Sequence, residues 1–527
     1  MKSSNIDPLS ATRNHFAASG LHYTDAQIAT FYTSLQTKGF VVLSGISGTG
    51  KSKIATGFVE MLPQSAAPSS RPLEVAVADD QLAFQVRPYM RQRHRVTFAK
   101  RYVDMFPEFT QSVGQKIPVS IDAQTGTGYL WYRVHNGQPE VTVRMHKSLY
   151  DAAEQWVLDE TMVAELDIDE DTEAVKAVRF FRPEPDHAVA TEAAEQPNHL
   201  FLSVRPDWRD STSLLGYYNP LTQTYEWTEF LHFLIRAQES YKVKDGLAWF
   251  VILDEMNLAH VEYYFADLLS VIESGRDSEG WTREPLRMTY PDTLDDEVPP
   301  HELKLPPNLY IIGTVNMDET THAFSPKVLD RAFTIELADV SFEHYPIASA
   351  SSDVVMLSDS DKDALLQAFT REGRFALIDK GEIGTVVVEH PRIRTDLQAL
   401  NTLLQPHRMH FGYRVFDEIA QYLHNNDING MMPFEDAFDQ AVFMKVLPKF
   451  TGSRARLQSP LHGVLAWAID PASTSRDDVG AAIVRFNAFY SGTAVEAWTV
   501  EPVFSVVAAR VRDMLVALER DGFVSFG

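Results

Sequence analysis

Apolar residues follow two rhythms along this chain. Short apolar runs between turn signals read as buried strands, whereas apolar positions spaced by three and four read as helix. The segment AQIATFYTSLQTK (26–38) predicts a short amphipathic helix that Gly39 ends, and FVVLS (40–44) predicts a buried strand. KIATGFVEML (53–62) predicts a second helix. The same alternation returns downstream: HLFLSVRP (199–206), TEFLHFLIRAQESY (228–241), AWFVILDE (248–255), VEYYFADLLSVIES (261–274), NLYIIGTVN (308–316) and FTIEL (333–337) read as strand, helix, strand, helix, strand and strand. Strands separated by helices predict a parallel sheet with helices on both faces. From about residue 395 the pattern is mainly helical, in LQALNTLLQ, VFDEIAQYLHNN, FDQAVFMKVL and VFSVVAARVRDMLVALERDG, and predicts a helical lid.

A different segment interrupts this pattern. Residues 63–80 are rich in Pro, Ser and Ala and read as a linker. YLWYRV (129–134) and VTVRM (141–145) alternate as half-buried strands do, with turn signals at TGTG (125–128) and HNGQP (135–139). Residues 150–180 are expected to be helical and acidic. The chain therefore divides into 1–62, an insertion at 63–198, 199–345, and a mainly helical 346–527.

Composition narrows the classes. The chain has 527 residues, enough for two or three domains, and no cysteine, which excludes disulfides, thiolate metal sites and cysteine nucleophiles. No apolar run is long enough to span a membrane, and the opening MKSSNIDPLSATRNHF lacks the apolar core of a signal peptide, so a cytoplasmic location is expected. The net charge of −25 argues against a general nucleic-acid coat. The charge is uneven, however. Residues 84–149 hold ten Lys and Arg against four Asp and Glu, while 150–195 hold three against fourteen.

Chemistry gathers at the strand tips. After the first strand comes GISGTGKS (45–52), in which Gly45, Ser47, Gly48, Thr49 and Gly50 let backbone N–H groups turn inward around an anion. The following helix aims its N-terminus at the same place. Lys51 is positioned for β- and γ-phosphates, and the Ser52 hydroxyl for Mg²⁺. The strand WFVILDE (249–255) ends in two acids, Asp254 for the metal's water shell and Glu255 to polarise an attacking water. Asn316, at the tip of GTVN (313–316), can orient that water. Arg331 follows a short helix and precedes a strand, where it could stabilise charge on a neighbouring subunit's phosphate, or simply pair with Asp330. Arg414, opening a lid helix in FGYR (411–414), could reach down to the phosphates, or be a surface arginine.

Together these elements resemble the AAA+ superfamily, and more closely McrB-like proteins, the motor subunits of modification-dependent restriction systems in the MoxR/dynein-related branch. The resemblance is carried by GISGTGKS, SVRPDWRDSTSLLGYYNP (203–220), LDEMNLAHVEYYFADLLSVIESG (253–275), GTVNMDETTHAFSPKVLDRAF (313–333), HFGYRVFDEIAQYL (410–423) and KVLPKFTGSRARL (445–457). It does not cover 63–198. It implies an α/β fold: a P-loop AAA+ core with a C-terminal helical lid and an inserted, partly β module. It also implies Asp254 and Glu255 as the Walker B pair, Asn316 as the sensor, Arg331 as a finger acting on the next subunit and Arg414 as the lid sensor. A ring, usually a hexamer, hydrolysing GTP or ATP with Mg²⁺ and driving an McrC-like nuclease in defence against foreign DNA follows from the same likeness. The family's N-x-x-D-R-S after the sensor reads NMDETT (316–321) here, with Asp318 one place early, so GTP and ATP stay open. A MoxR-like chaperone that remodels a protein complex, or a nucleotide-gated scaffold, stays open as well.

Two further segments carry chemistry. In the insertion, Arg91, Arg93, Arg95, Lys100 and Arg101 interleave with aromatic residues, and Trp131 and Tyr132 follow. Cations beside aromatics suit nucleic acid, though they equally suit a small β domain with an aromatic core and an acidic partner. Pro291-Asp292 with Glu302 and Lys304 meets the loose PD…ExK nuclease pattern, but its setting inside the core predicts a surface hairpin or loop.

Overall fold

The computed structural model describes residues 7–64, 197–222, 224–291, 298–316, 322, 324–337, 357–472 and 502–525, together with strand backbones between residues 74 and 181. Five strands form the central sheet: β1 (Phe40–Gly45), β2 (His199–Ser203), β3 (Trp249–Asp254), β4 (Leu309–Asn316) and β5 (Phe333–Glu336). They lie in the order β2-β3-β4-β1-β5, and every neighbouring pair is parallel. The expected parallel α/β sheet is thus present, with helices on both faces.

Strand alternation sorts the core into two layers. Phe250 and Ile252 of β3 and Tyr310 and Ile312 of β4 pack with Ile28, Phe31 and Tyr32 of the helix Asp25–Thr37 and with Phe58 of the helix Lys51–Met61. Trp249, Val251 and Leu253 point the other way, to Phe230, Phe233 and Leu234 of the helix Glu229–Val243 and to Leu268 of the helix Ala266–Glu273. The chain after β1 crosses to the far edge at β2, whereas the later connections return toward β5. The loop after β1 therefore lies at a topological switch point, where open α/β sheets bind ligands beyond the strands' carboxyl ends.

The lid is helical, as expected, with helices at Asp359–Phe369, Lys380–Glu389, Arg392–Leu404, Tyr413–Asn429, Phe434–Val446, Arg454–Ile469 and Ser505–Asp521. Its apolar residues, among them Phe369, Tyr422 and Val511, join the same cluster as one face of the sheet. The predicted helix over 261–274 is broken into Val261–Tyr264 and Ala266–Glu273.

One expectation is corrected. Within 150–180 the structure has strands Val163–Ile168 and Val175–Phe181, paired antiparallel, and no helix among the described residues. VAELDI and VKAVRFF place polar residues among apolar ones at strand-like rather than helical spacing, and acidity along the segment does not itself imply helix. They belong to an eight-stranded sheet with Glu74–Ala76, Leu82–Gln85, Arg95–Phe98, Gln115–Ile121, Gln124–His135 and Gln138–Met145. Arg95, Trp131 and Tyr132 lie on its strands, while Arg91, Arg93, Lys100 and Arg101 fall outside the described residues. Among the described residues no helix is long and apolar enough to cross a membrane.

Candidate active site

The loop after β1 is built on backbone geometry that other residues resist. Gly48 and Gly50 have φ of 86° and 87°, in the left-handed region. A side chain at Gly50 would also meet the Tyr23 hydroxyl at 2.8 Å, the group that donates to the Gly50 carbonyl at 2.9 Å. Gly50 caps the helix Lys51–Met61 with no side-chain hydrogen bond, so the helix's first N–H groups are left for another acceptor. Ile46, Ser47 and Gly48 are exposed. Lys51 is buried, and its ammonium donates to the carbonyls of Gly45 and Ile46 at 3.0 and 2.6 Å. Burial pulls its pKa down, and the nearby Asp254 and Glu255 pull it back up.

β4 lies between β1 and β3, and this brings three strand tips together. Gly45 is in register with Asn316, and Leu253 with Gly313. Ser52 Oγ donates to Asp254 Oδ1 at 2.6 Å, and Thr314 Oγ1 donates to the same oxygen at 2.7 Å. The Thr314 hydroxyl also accepts the Glu255 backbone N–H at 3.0 Å. Asn316 Nδ2 donates to Glu255 Oε1 at 2.8 Å. Ser52, Asp254, Thr314, Glu255 and Asn316 thus form one hydrogen-bonded chain across two strand ends and a helix.

Glu255 sits at φ 53°, a left-handed conformation uncommon for a residue with a side chain. Such strain collects at functional sites, where the surroundings hold it in place. Here the holding groups are Thr314, and Met256, which packs so closely on Gly313 that a side chain there would meet its sulfur at 2.5 Å. Asn257 continues the support: its Nδ2 donates to the Asn316 carbonyl at 2.8 Å, and its carbonyl accepts the His322 N–H at 3.0 Å. Thr314 and Asn257 stand inside the GTVN and LDEMNLAH stretches, but their partners could not be read from spacing.

The residues fit Mg²⁺. A serine hydroxyl and a carboxylate oxygen converge beside the Gly-rich loop, the kind of hard-oxygen set that this ion takes together with phosphates. Ser52 and Asp254 would hold it, and it would neutralise phosphate charge.

The two arginines lie elsewhere. Arg331 precedes β5, whose Phe333 is in register with Val41, while the Gly-rich loop begins at Gly45. Four residues of strand, about 13 Å, separate the two ends of the sheet at that point. The Arg331 guanidinium pairs with Glu273 and donates to the Lys327 carbonyl. Burial lowers its pKa, and the nearby Arg414 lowers it further. Of the two readings open for Arg414, a reach toward the Gly-rich loop or a place at the surface, the structure shows neither contact with that loop nor isolation: Arg414 pairs with Asp330, and with Glu273 at 3.4 Å. The lid docks its helix Tyr413–Asn429 against the N-terminal end of the strands, where Glu418 pairs with Lys38 and, at 2.7 Å, with Lys445.

The nuclease-like pattern resolves as a hairpin. Glu302–Leu303 pairs antiparallel with Leu286–Arg287, Glu302 lies 3.6 Å from Arg287, and Lys304 lies 3.4 Å from Asp277. Asp292 lies outside the described residues.

Comparison with known proteins adds little to this geometry. Residues 383–523 match a family model described as a domain of unknown function, DUF8727. No curated protein matches. Among solved structures, an Arabidopsis FUS3-DNA complex is similar over 19% of this chain and 94% of that one, at 9% identity and a TM-score of 0.16, and a likeness of that size carries no argument.

Proposed function

We propose that this chain is a ring-forming AAA+ NTPase of the McrB-like kind, hydrolysing GTP or ATP. The observation that carries the reading is the bonded chain from Ser52 through Asp254, Thr314 and Glu255 to Asn316, set beside a phosphate loop at the switch point of a parallel sheet. A triphosphate placed there would take the N–H groups of 47–52 and would draw the Lys51 ammonium from its own loop carbonyls. Bound Mg²⁺ would offset charge on the β- and γ-phosphates. Water held by the Asn316 amide and the Glu255 carboxylate attacks the γ-phosphorus in line. Its proton passes to Glu255, the bond from phosphorus to the β-bridging oxygen breaks, and the diphosphate leaves with the electron pair.

The reading extends to assembly. Arg331 stands at the sheet end remote from its own phosphate loop, so any phosphate it serves belongs to another copy, which suits a closed ring, usually a hexamer. Nuclease activity in defence against foreign DNA would come from an McrC-like partner, with DNA met through that partner or the insertion. The proposed setting is the cytoplasm.

Glu255→Gln tests the chemistry. The amide keeps the Asn316 contact but cannot take a proton. Turnover should fall at least about a hundredfold while nucleotide binding, followed by a fluorescent GTP or ATP analogue, stays within a few-fold. Unchanged hydrolysis would overturn the assignment.

A further inference from the structure

Arg331 and Arg414 line a core–lid cleft of about 930 Å³, along with Lys38, Glu273 and Glu418. The ion pairs at this cleft form two neighbouring groups, Lys38 and Lys445 on Glu418, and Arg331, Arg414 and Lys449 on Glu273 and Asp330. Each group has one more cation than acid, so two positive charges across them lack an acid. The buried Arg331 Nε has no hydrogen-bond partner. In a chain of net charge −25, a cationic excess at one cleft points to an anion.

The three acids are not equivalent. Glu418 is buried between two lysines. Asp330 is held from behind by Lys449 at 2.5 Å. Glu273 is about half exposed, touches both arginines and is tied to no lysine in these groups. It is also the last residue of the helix Ala266–Glu273, where the helix dipole disfavours a negative charge. Its place is set by the arginines, and its exposure leaves it free to turn away. A guanidinium fork that receives a carboxylate receives a phosphate with the same geometry.

We propose that Glu273 is an internal stand-in for a phosphate group presented by a second copy of this chain. The inference rests on the ring NTPase reading above. In the separate chain Glu273 neutralises Arg331 and Arg414. On assembly the triphosphate in the neighbour's loop displaces it, so the carboxylate opposes assembly until a nucleotide-loaded neighbour arrives.

The test uses the full chain as wild type, as Glu273→Gln, and as Glu273→Gln with Arg331→Ala. Sedimentation velocity over a protein concentration series, with the γ-thio analogues of GTP and ATP in turn, gives the concentration of half-assembly; thermal melting reports folding. Glu273→Gln should assemble at about tenfold lower concentration, and Arg331→Ala should abolish that gain. A gain that survives Arg331→Ala, an unchanged or raised half-assembly concentration, or a variant that fails to fold would overturn the proposal. Wild type and variant both remaining monomeric with either analogue would overturn the ring reading and the proposal with it; an assembling wild type with an unchanged variant overturns the stand-in alone. Inorganic tripolyphosphate that, without assembly, raises the melting temperature of Glu273→Gln but not that of Glu273→Gln with Arg331→Ala would assign the cleft to a free anion and overturn the second copy as its occupant.

Discussion

The two ends of the central sheet use charge in opposite ways. At the carboxyl ends of the strands, Asp254 and Glu255 are held by hydroxyl and amide donors, and Lys51 turns back onto its own loop. At the amino ends, cations outnumber acids, and the acids bind core to lid. The first arrangement keeps its charges available to a ligand. The second spends most of them on the fold, and leaves only the pair of arginines with a partner that can move. Chemistry at one end and assembly at the other is the division that this difference supports.

The largest effect should come from the amino end. Glu418 is buried, and burial opposes its charge, but Lys38 and Lys445 hold its carboxyl below the usual range. Burial lowers Lys445 to about 8 even with Glu418 beside it. Glu418→Ala would leave two buried ammonium groups without their acid, which costs about 3–5 kcal/mol. Thermal or denaturant unfolding should show a clear loss of stability, and lid helices should exchange amide hydrogens faster. A stability within about 0.5 kcal/mol of wild type would mean that this end is no clasp, and the contrast would fail.

The carboxyl end should respond the other way, in rate more than in stability. Thr314→Val keeps the shape of the side chain and removes the hydroxyl that binds Asp254 and the Glu255 N–H. The expected cost to stability is about 1 kcal/mol, because the buried hydroxyl makes two hydrogen bonds whose other partners, Asp254 and Glu255, lie partly open to solvent. Turnover should drop about tenfold or more, since a slight misplacement of Glu255 and Asp254 weakens water activation and metal binding together. Steady-state kinetics at saturating nucleotide and Mg²⁺ would show this. A full turnover number in Thr314→Val would reduce the bonded chain to scaffolding.

The same contrast explains what could be read from the chain before its fold was known. The placement of the Gly-rich loop, Asp254, Glu255 and Asn316 at neighbouring strand tips was legible because each is local: a buried run ends, and a polar residue stands at its tip. The two layers of the sheet followed from alternation. Arg414 was not legible, because its partners Glu273 and Asp330 are 141 and 84 residues away, and the docking of the lid decides which end of the sheet it meets. Thr314 stood in view inside GTVN, yet its hydroxyl acquires a role only when β3 and β4 are side by side. The helix Lys380–Glu389 contains Thr385, Val386, Val387 and Val388, a β-branched run that argues for strand, and tertiary packing of Ile383, Val386 and Val387 overrides it. Acidity over 150–180 suggested a solvated helix, where the strand-like spacing of apolar residues was the better guide.

A second buried acid separates pairing by cations from pairing by dipoles. Asp439, in the lid helix Phe434–Val446, accepts the N–H groups of Val506 and Val507 at 2.7 and 3.0 Å and so caps the helix Ser505–Asp521 from a distance. The ion pairs at the amino end of the sheet give Glu418 two ammonium groups; among the described residues, Asp439 has these donors and the Ser505 hydroxyl. Burial accordingly dominates and raises its pKa to about 6 from 3.8, despite the hydrogen bonds. A folded-state pKa above the unfolded one means that the folded chain holds a proton the unfolded chain has released. The stabilisation is therefore full below about pH 4 and is lost as pH rises through about 6, by at most about 3 kcal/mol at about 1.4 kcal/mol per unit. Asp439→Asn cannot titrate, so between pH 4.5 and 7 the wild type should lose more stability than the variant, with the difference seen in amide exchange of the terminal helix. Parallel pH profiles for the two would mean that backbone dipoles alone sustain the buried charge, and that lysines were not needed to hold Glu418 ionised.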